Sequence, residues 1–223
     1  MIRRTLLIAS ALVMLLGLAV IDAQAATIWT DWESASTSGS ATGTLGGVGV
    51  SYAGEVAGSI INGTSNIWAP DSSFTGGTVT TSPSVVKDDI RLDGAAGTNT
   101  LTFSAPVQNP VFAIWSLGQP GLTASFNFDA TPTLQAGGPN SIFNGGPITV
   151  LGNVVSGNEG NGVVQFSGTF SSISWTDTPE HFYAFTVGMN GPLGPPTAVP
   201  EPATLILLGS GLTGLAWRLR KHR

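Results

Sequence analysis

The chain has no cysteine. Disulfide staples, thiol catalysis, thiolate metal sites and lipid attachment through a cysteine are therefore excluded, and any fold must be held by packing and hydrogen bonds. Charge is scarce too. Asp, Glu, Lys and Arg make up 9% of 223 residues, and between residues 26 and 198 Lys87 and Arg91 face 11 acids, a formal net charge of −9. Such a body offers no positive face to nucleic-acid phosphates and is not drawn to anionic headgroups. It fits a self-repelling surface domain or one that takes up divalent cations. His181 is the only histidine of this middle part, so paired-histidine metal motifs are impossible there. At the head of an apolar run it reads as structural. No Gly-x-Ser-x-Gly elbow occurs. No segment from 27 to 190 has a helical period.

What is present is Gly, Ser, Thr and Asn, with Trp29, Trp32, Trp68, Trp115 and Trp175 supplying apolar area. A period of two recurs. Thr27 to Trp32 reads as a first strand, and Thr42 to Val56 alternates, with a bulge or turn at Gly46-Gly47. Asn62-Gly63 and Gly76-Gly77 mark loops. Asp89 to Leu92 and Asn99 to Ser104 flank a turn at Asp93-Gly94. Pro106 and Pro110 bracket a connection, and the apolar run Val111 to Leu117 reads as a central strand. Leu122 to Asp129 alternates; Ala136 to Pro147 is a Gly/Pro-rich loop; Ile148 to Val155 reads as a hairpin around Gly152-Asn153. Gly162 to Phe166, Thr169 to Trp175 and His181 to Val187 complete the set. Ten to twelve short strands predict an all-β, antiparallel, jelly-roll-like sandwich over 26–190. Trp115 and Trp175 are expected between the sheets. Trp29 and Trp32, three apart, face opposite ways, so one of them is expected in the core.

The two ends differ from the middle. Arg3 and Arg4, an apolar run from Leu6 to Ile21 and Ala23-Gln24-Ala25 describe a secretory signal peptide over 1–25, with cleavage expected after Ala25. A stiff Pro/Gly linker spans 191–198. Val199, Pro200, Glu201 and Pro202 then precede a 15-residue apolar stretch from Ala203 to Trp217, and the chain closes on Arg218, Arg220, Lys221 and Arg223. Snorkelling basic stems and Leu219 extend the stretch towards a membrane helix over 203–219, and the basic end fixes its cytoplasmic side. This order of turn, greasy segment and basic end resembles the C-terminal signal of PEP-CTERM proteins. The resemblance implies that Pro200, Glu201 and Pro202 are recognised by an exosortase. It also implies delivery by the general secretion machinery, transient anchoring in the inner membrane of a Gram-negative bacterium, and a place at the cell surface or in the extracellular matrix. Leu101 to Val107 with Val111 to Ile114, and Gly160 to Phe166 with Ile173 to Trp175, more loosely resemble strands of PEP-CTERM ectodomains.

Chemistry in the middle part is sparse. Glu55, Glu159 and Glu180, with Asp88, Asp89 and Asp93, are the carboxylates available to a glycoside hydrolase, which needs two. Asp89, Arg91 and Asp93 share a strand face and read as a charge-neutralised surface ladder. Asp88, Asp89 and Asp93 at one turn form a candidate calcium site, though a solvated turn is the simpler expectation. Trp68, in a loop with Asp71 beside it, is the candidate glycan platform; plugging the end of the sandwich is its other reading. The sequence thus points to an exported surface or matrix protein without catalytic activity, with exopolysaccharide as a candidate partner. The alternatives are a carboxylate-dependent hydrolase and a matrix subunit that self-associates through sheet edges.

Overall fold

The computed structural model describes residues 25–94 and 97–191. The expected signal helix (apart from Ala25), the linker after Gly191, the sorting residues 199–202, the apolar helix 203–219 and the basic end all lie outside the described residues. Among the described residues no helix is long and apolar enough to cross a membrane.

Sixteen strands, more than the pattern predicts, build two sheets. The first five are β1 (Thr27–Trp29), β2 (Asp31–Ser36), β3 (Ser40–Leu45), β4 (Val48–Ala53) and β5 (Gly58–Ile60). Then come β6 (Asp89–Leu92), β7 (Thr98–Gln108), β8 (Pro110–Leu117), β9 (Ala124–Phe128), β10 (Pro132–Gly137) and β11 (Gly146–Pro147). The last are β12 (Thr149–Leu151), β13 (Val154–Gly157), β14 (Gly160–Phe166), β15 (Thr169–Asp177) and β16 (Tyr183–Asn190). One sheet runs β10-β14-β8-β16-β6-β5, with β1 also on β16 and β11 on β14; the other runs β12-β13-β9-β15-β7-β4-β3-β2. All pairings are antiparallel except β11 with β14. The predicted first strand is in fact two. At Thr30, whose N–H and hydroxyl both donate to the Val187 carbonyl, the chain crosses from one sheet to the other. Pro106 lies inside β7 and Pro110 opens β8, so the connection between them shrinks to Asn109 in the left-handed region, φ 49°.

Alternation explains the core. Leu101 and Phe103, Phe126 and Phe128, Ile173 and Trp175 face inward from one sheet, while Phe112, Ile114 and Phe185 face them from the other. Phe112 stacks on Phe185 at 5.0 Å and meets Phe126, Phe128 and Trp175 edge-on. Aromatic pairs of this geometry contribute about 0.5–1.5 kcal/mol each beyond the area they bury.

A second apolar cluster lies on the outer face of the β8 sheet. Trp29, Val111, Ala113, Trp115, Val163 and Ala184 are covered there by Ile67, Trp68, Phe74 and Val79 from the long segment between β5 and β6. This is why β8 is buried at every position and β14 likewise. Trp29 and Trp32 do face opposite ways, but both are buried, one in each cluster. Trp175 packs between the sheets as expected; Trp115 packs outside them.

Register sorts the loops to two poles. Thr27 pairs with Asn190, and the Gly191 N–H donates to the Ala26 carbonyl, so both ends of the domain leave from one pole, here called the base. Gly157 pairs with Ala124, Gly160 with Leu117, Leu92 with Tyr183, and Thr98 with Thr176, so the connections beyond them gather at the opposite pole, the tip.

Candidate functional site

The predicted residues fall in separate places. Trp68 is 1% exposed, not a platform. Its indole N–H donates to the Asp88 carbonyl, and its ring meets Phe74 edge-on at 5.3 Å. The sequence around it looks like a loop, and it is one, but a loop folded onto a sheet face buries its apolar members. Asp71 is exposed at the start of a 3₁₀ turn (Asp71–Ser73), where its carboxylate accepts the Ser84 hydroxyl.

The proposed calcium ligands are not brought together. Asp88 and Asp89 are both buried, which also corrects the solvated turn and the surface ladder. Asp88 lies just before β6 and Asp89 opens it, and their carboxylates take different partners. Asp88 accepts the backbone N–H groups of Gly63 and Trp32, and burial raises its pKa. Asp89 takes Arg91 at 2.9 Å and the Ser65 hydroxyl at 2.6 Å. Asp93 is held elsewhere, its carbonyl accepting the Glu180 N–H. No group of three or more possible protein ligands forms a metal-sized cluster among the described residues.

The tip is where the remaining acids meet. The Glu55 carboxylate accepts the N–H groups of Asp93 and Gly94, fastening the turn after β6. Asn99 accepts the Tyr52 hydroxyl and the Glu55 N–H, and its amide donates to Asp177. Burial pushes Asp177 up to about 6, against the hydrogen bonds of Tyr183 and Asn99. Burial likewise pushes Tyr52 and Tyr183 upward, with the charge of Asp177 adding to it.

Beside this network lies a corner made by a β-bulge. Gly160 pairs with Leu117 but Gly162 with Ile114, so β8 carries one extra residue there. Ser116 adopts φ 58° at that point, and Glu159, before β14, adopts φ 56°. Such bulges re-aim side chains: Trp115 joins the outer cluster while Leu117, two residues on, joins the inner one. The Ser116 hydroxyl donates to Glu159, and its N–H donates to Asn161, whose amide reaches the Asn144 and Glu159 carbonyls. Glu180 is pushed up to about 7 by burial, with the charge of Glu159 adding to it and the Gly118 N–H opposing it. Trp115 stacks on Phe143 at 5.4 Å and tilts against Phe182 at 5.7 Å. The two phenyl rings are 47% and 36% exposed.

Of these residues, Glu55, Glu159, Glu180 and Asp93 stand out in the sequence as candidate acids; Asp177, Asn99, Ser116, Phe143 and Phe182 do not. A signal existed for two of them. Asp177 continues the inward parity of Ile173 and Trp175, and Asn99 that of Leu101 and Phe103.

An all-strand domain with these buried acids is a two-sheet sandwich ectodomain of no single assigned chemistry. The class of the chain comes from its C-terminus, where residues 198–221 match the family model of the PEP-CTERM protein-sorting motif. That motif implies export to the cell envelope and processing by an exosortase. Comparison with curated proteins and with solved structures gives no match.

Proposed function

We propose that the protein is a non-catalytic component of the cell surface or extracellular matrix. Its sandwich is displayed by the sorting tail, and exopolysaccharide is its partner. The observation that carries this reading is polar. Both ends of the domain leave from the base, and the sorting motif begins seven residues after Gly191, whereas Glu55, Asp93, Glu159, Asp177 and Glu180 and the exposed rings of Phe143 and Phe182 gather at the tip. A tail fixed at a membrane therefore holds the tip away from it. At about 3.3 Å per residue, β16 alone separates the poles by roughly 23 Å.

The test is the intact mass and location of the protein from its own cells. The expected product lacks the C-terminal basic residues and is found in the envelope or the medium. A variant with Pro200, Glu201 and Pro202 all changed to Ala should keep Arg218 to Arg223 and stay in the inner membrane. Unprocessed 223-residue protein dissolved in the cytosol would sink the reading.

A second reading, a glycoside hydrolase, is favoured by one observation: Glu180, held protonated towards neutrality, lies in the field of Glu159. A buried carboxyl group that keeps its proton towards neutrality is the general acid such hydrolysis uses. Release of reducing ends from polysaccharide, abolished by Glu180→Gln, would replace the non-catalytic reading.

A further inference from the structure

We propose that the Trp115 corner of the tip binds an uncharged polysaccharide. Its sugar rings lie on Phe143 and Phe182, and its hydroxyls exchange hydrogen bonds with the Trp115 indole and the carboxyl groups of Glu159 and Glu180. The proposal rests on the reading of the protein as an exopolysaccharide-associated surface component, and names the class of that partner and where it sits.

Four observations converge. First, the corner joins three loop segments. Phe143 and Asn144 come from the segment before β11, Glu159 from the turn before β14, and Glu180 and Phe182 from the connection between β15 and β16. Asn161 ties the first two together, and a Cβ on Gly145 would collide with the Glu159 carbonyl oxygen, so the two segments touch. Second, Phe143 and Phe182 are large apolar rings left at the surface, their centroids 6.3 Å apart, each resting on Trp115. The two rings stand at 66° to each other, so each would take the C–H face of a different sugar residue.

Third, the Trp115 side chain is 2% exposed, yet its Nε1–H has no acceptor among the described residues. Trp29, Trp32 and Trp68, buried to the same degree, all have one; Trp175 also lacks one but lies in the inner core, whereas Trp115 lies beneath the exposed rings of Phe143 and Phe182. A donor left unpaired in a dry site is costly and marks a place for an acceptor. Fourth, the Oε2 atom of Glu180 is buried and likewise lacks a partner.

Together these select the ligand. A hydroxyl both accepts and donates, so it can serve the indole N–H and a carboxyl group alike. An ammonium group has no lone pair for the indole. An anionic polymer meets the carboxylates of Glu55, Asp93 and Glu159 at the same pole. A neutral sugar polymer satisfies both constraints.

The test uses the native protein purified from cells. The probe is the secreted polysaccharide of those cells, split by anion exchange into neutral and acidic fractions, with affinity read by electrophoresis through gels containing each. Retardation by the neutral fraction alone is expected. Phe143→Ala with Phe182→Ala should weaken it by about tenfold, as loss of a central aromatic anchor does. Trp115→Phe, which keeps a ring but removes the N–H, should weaken it several-fold; the cavity it leaves lowers the unfolding midpoint, so binding is read on the folded fraction. Leu151→Ala, exposed on the β12 edge, should leave it as it is. No binding to the neutral fraction, equal binding to the acidic one, or wild-type retardation of Trp115→Phe overturns the proposal. A protein that is exported and processed but does not bind sinks this inference alone; one that stays in the cytosol sinks the reading beneath it.

Discussion

Asp88 carries a heavy structural duty for one carboxylate. It accepts two backbone N–H groups, from Gly63 in the covering loop and Trp32 in β2, while its own carbonyl takes the Trp68 indole. Three segments distant in sequence thus meet at one residue that is 1% exposed. Removing the side chain leaves buried donors unpaired, at about 1–3 kcal/mol each. Asp88→Ala is therefore expected to lower unfolding free energy by about 3 kcal/mol in urea, with Asp88→Asn losing less because one acceptor oxygen remains. A loss within the noise for Asp88→Ala would mean that the carboxylate does not anchor the loop. The sequence shows Asp88 and Asp89 as a charged pair beside a turn, and that appearance misleads. Nothing local says that the chain from 61 to 87 will fold back over them, because that segment has only short 3₁₀ turns and no periodic pattern of its own.

At the scale of elements, period two is a good guide wherever one sheet face is wet. Asp89–Leu92 has the predicted bounds, and the hairpins around Gly46-Gly47 and Gly152-Asn153 form as turn chemistry requires. The guide fails where both faces are dry. In β8, β14 and β16 the apolar runs identify central strands but do not say which side chain faces which layer, so Trp115 goes to the outer cluster against expectation. The bulge at Ser116 adds to this by reversing parity within β8, and an Ile-Trp-Ser-Leu run gives no warning of it. That local conformation has a measurable signature. A β-branched residue at φ near +60° is strained by about 1–2 kcal/mol, so Ser116→Val should lose roughly 2 kcal/mol or more once the lost hydroxyl bond to Glu159 is added. Ser116→Gly keeps the backbone at ease and should lose much less. Equal losses from the two substitutions would show that the left-handed turn is not what matters.

For the molecule as a whole, buried acids at the tip make stability depend on pH. Asp177 and Glu180, whose ordinary values are near 3.8 and 4.5, hold their protons up to about 6 and about 7 in the folded domain. Between those limits the folded chain binds more protons than the unfolded one, so unfolding releases protons and is favoured by rising pH. Their contribution is fully present below the unfolded values and is lost as pH climbs through the folded ones. The urea midpoint should therefore fall from about pH 4.5 to about pH 7.5, and Glu180→Gln should flatten the upper part of that decline. A midpoint that rises over this interval would contradict the burial of both groups.

The pairing of Thr27 with Asn190 has a last consequence. Under the proposed display, cuts before Ala26 and after Gly191 would both fall behind the sandwich, at the same pole. An uncut chain and a trimmed one would then show the surroundings an unchanged outer face. Many copies rooted side by side would stand parallel, like bristles, with every Trp115 corner turned outward.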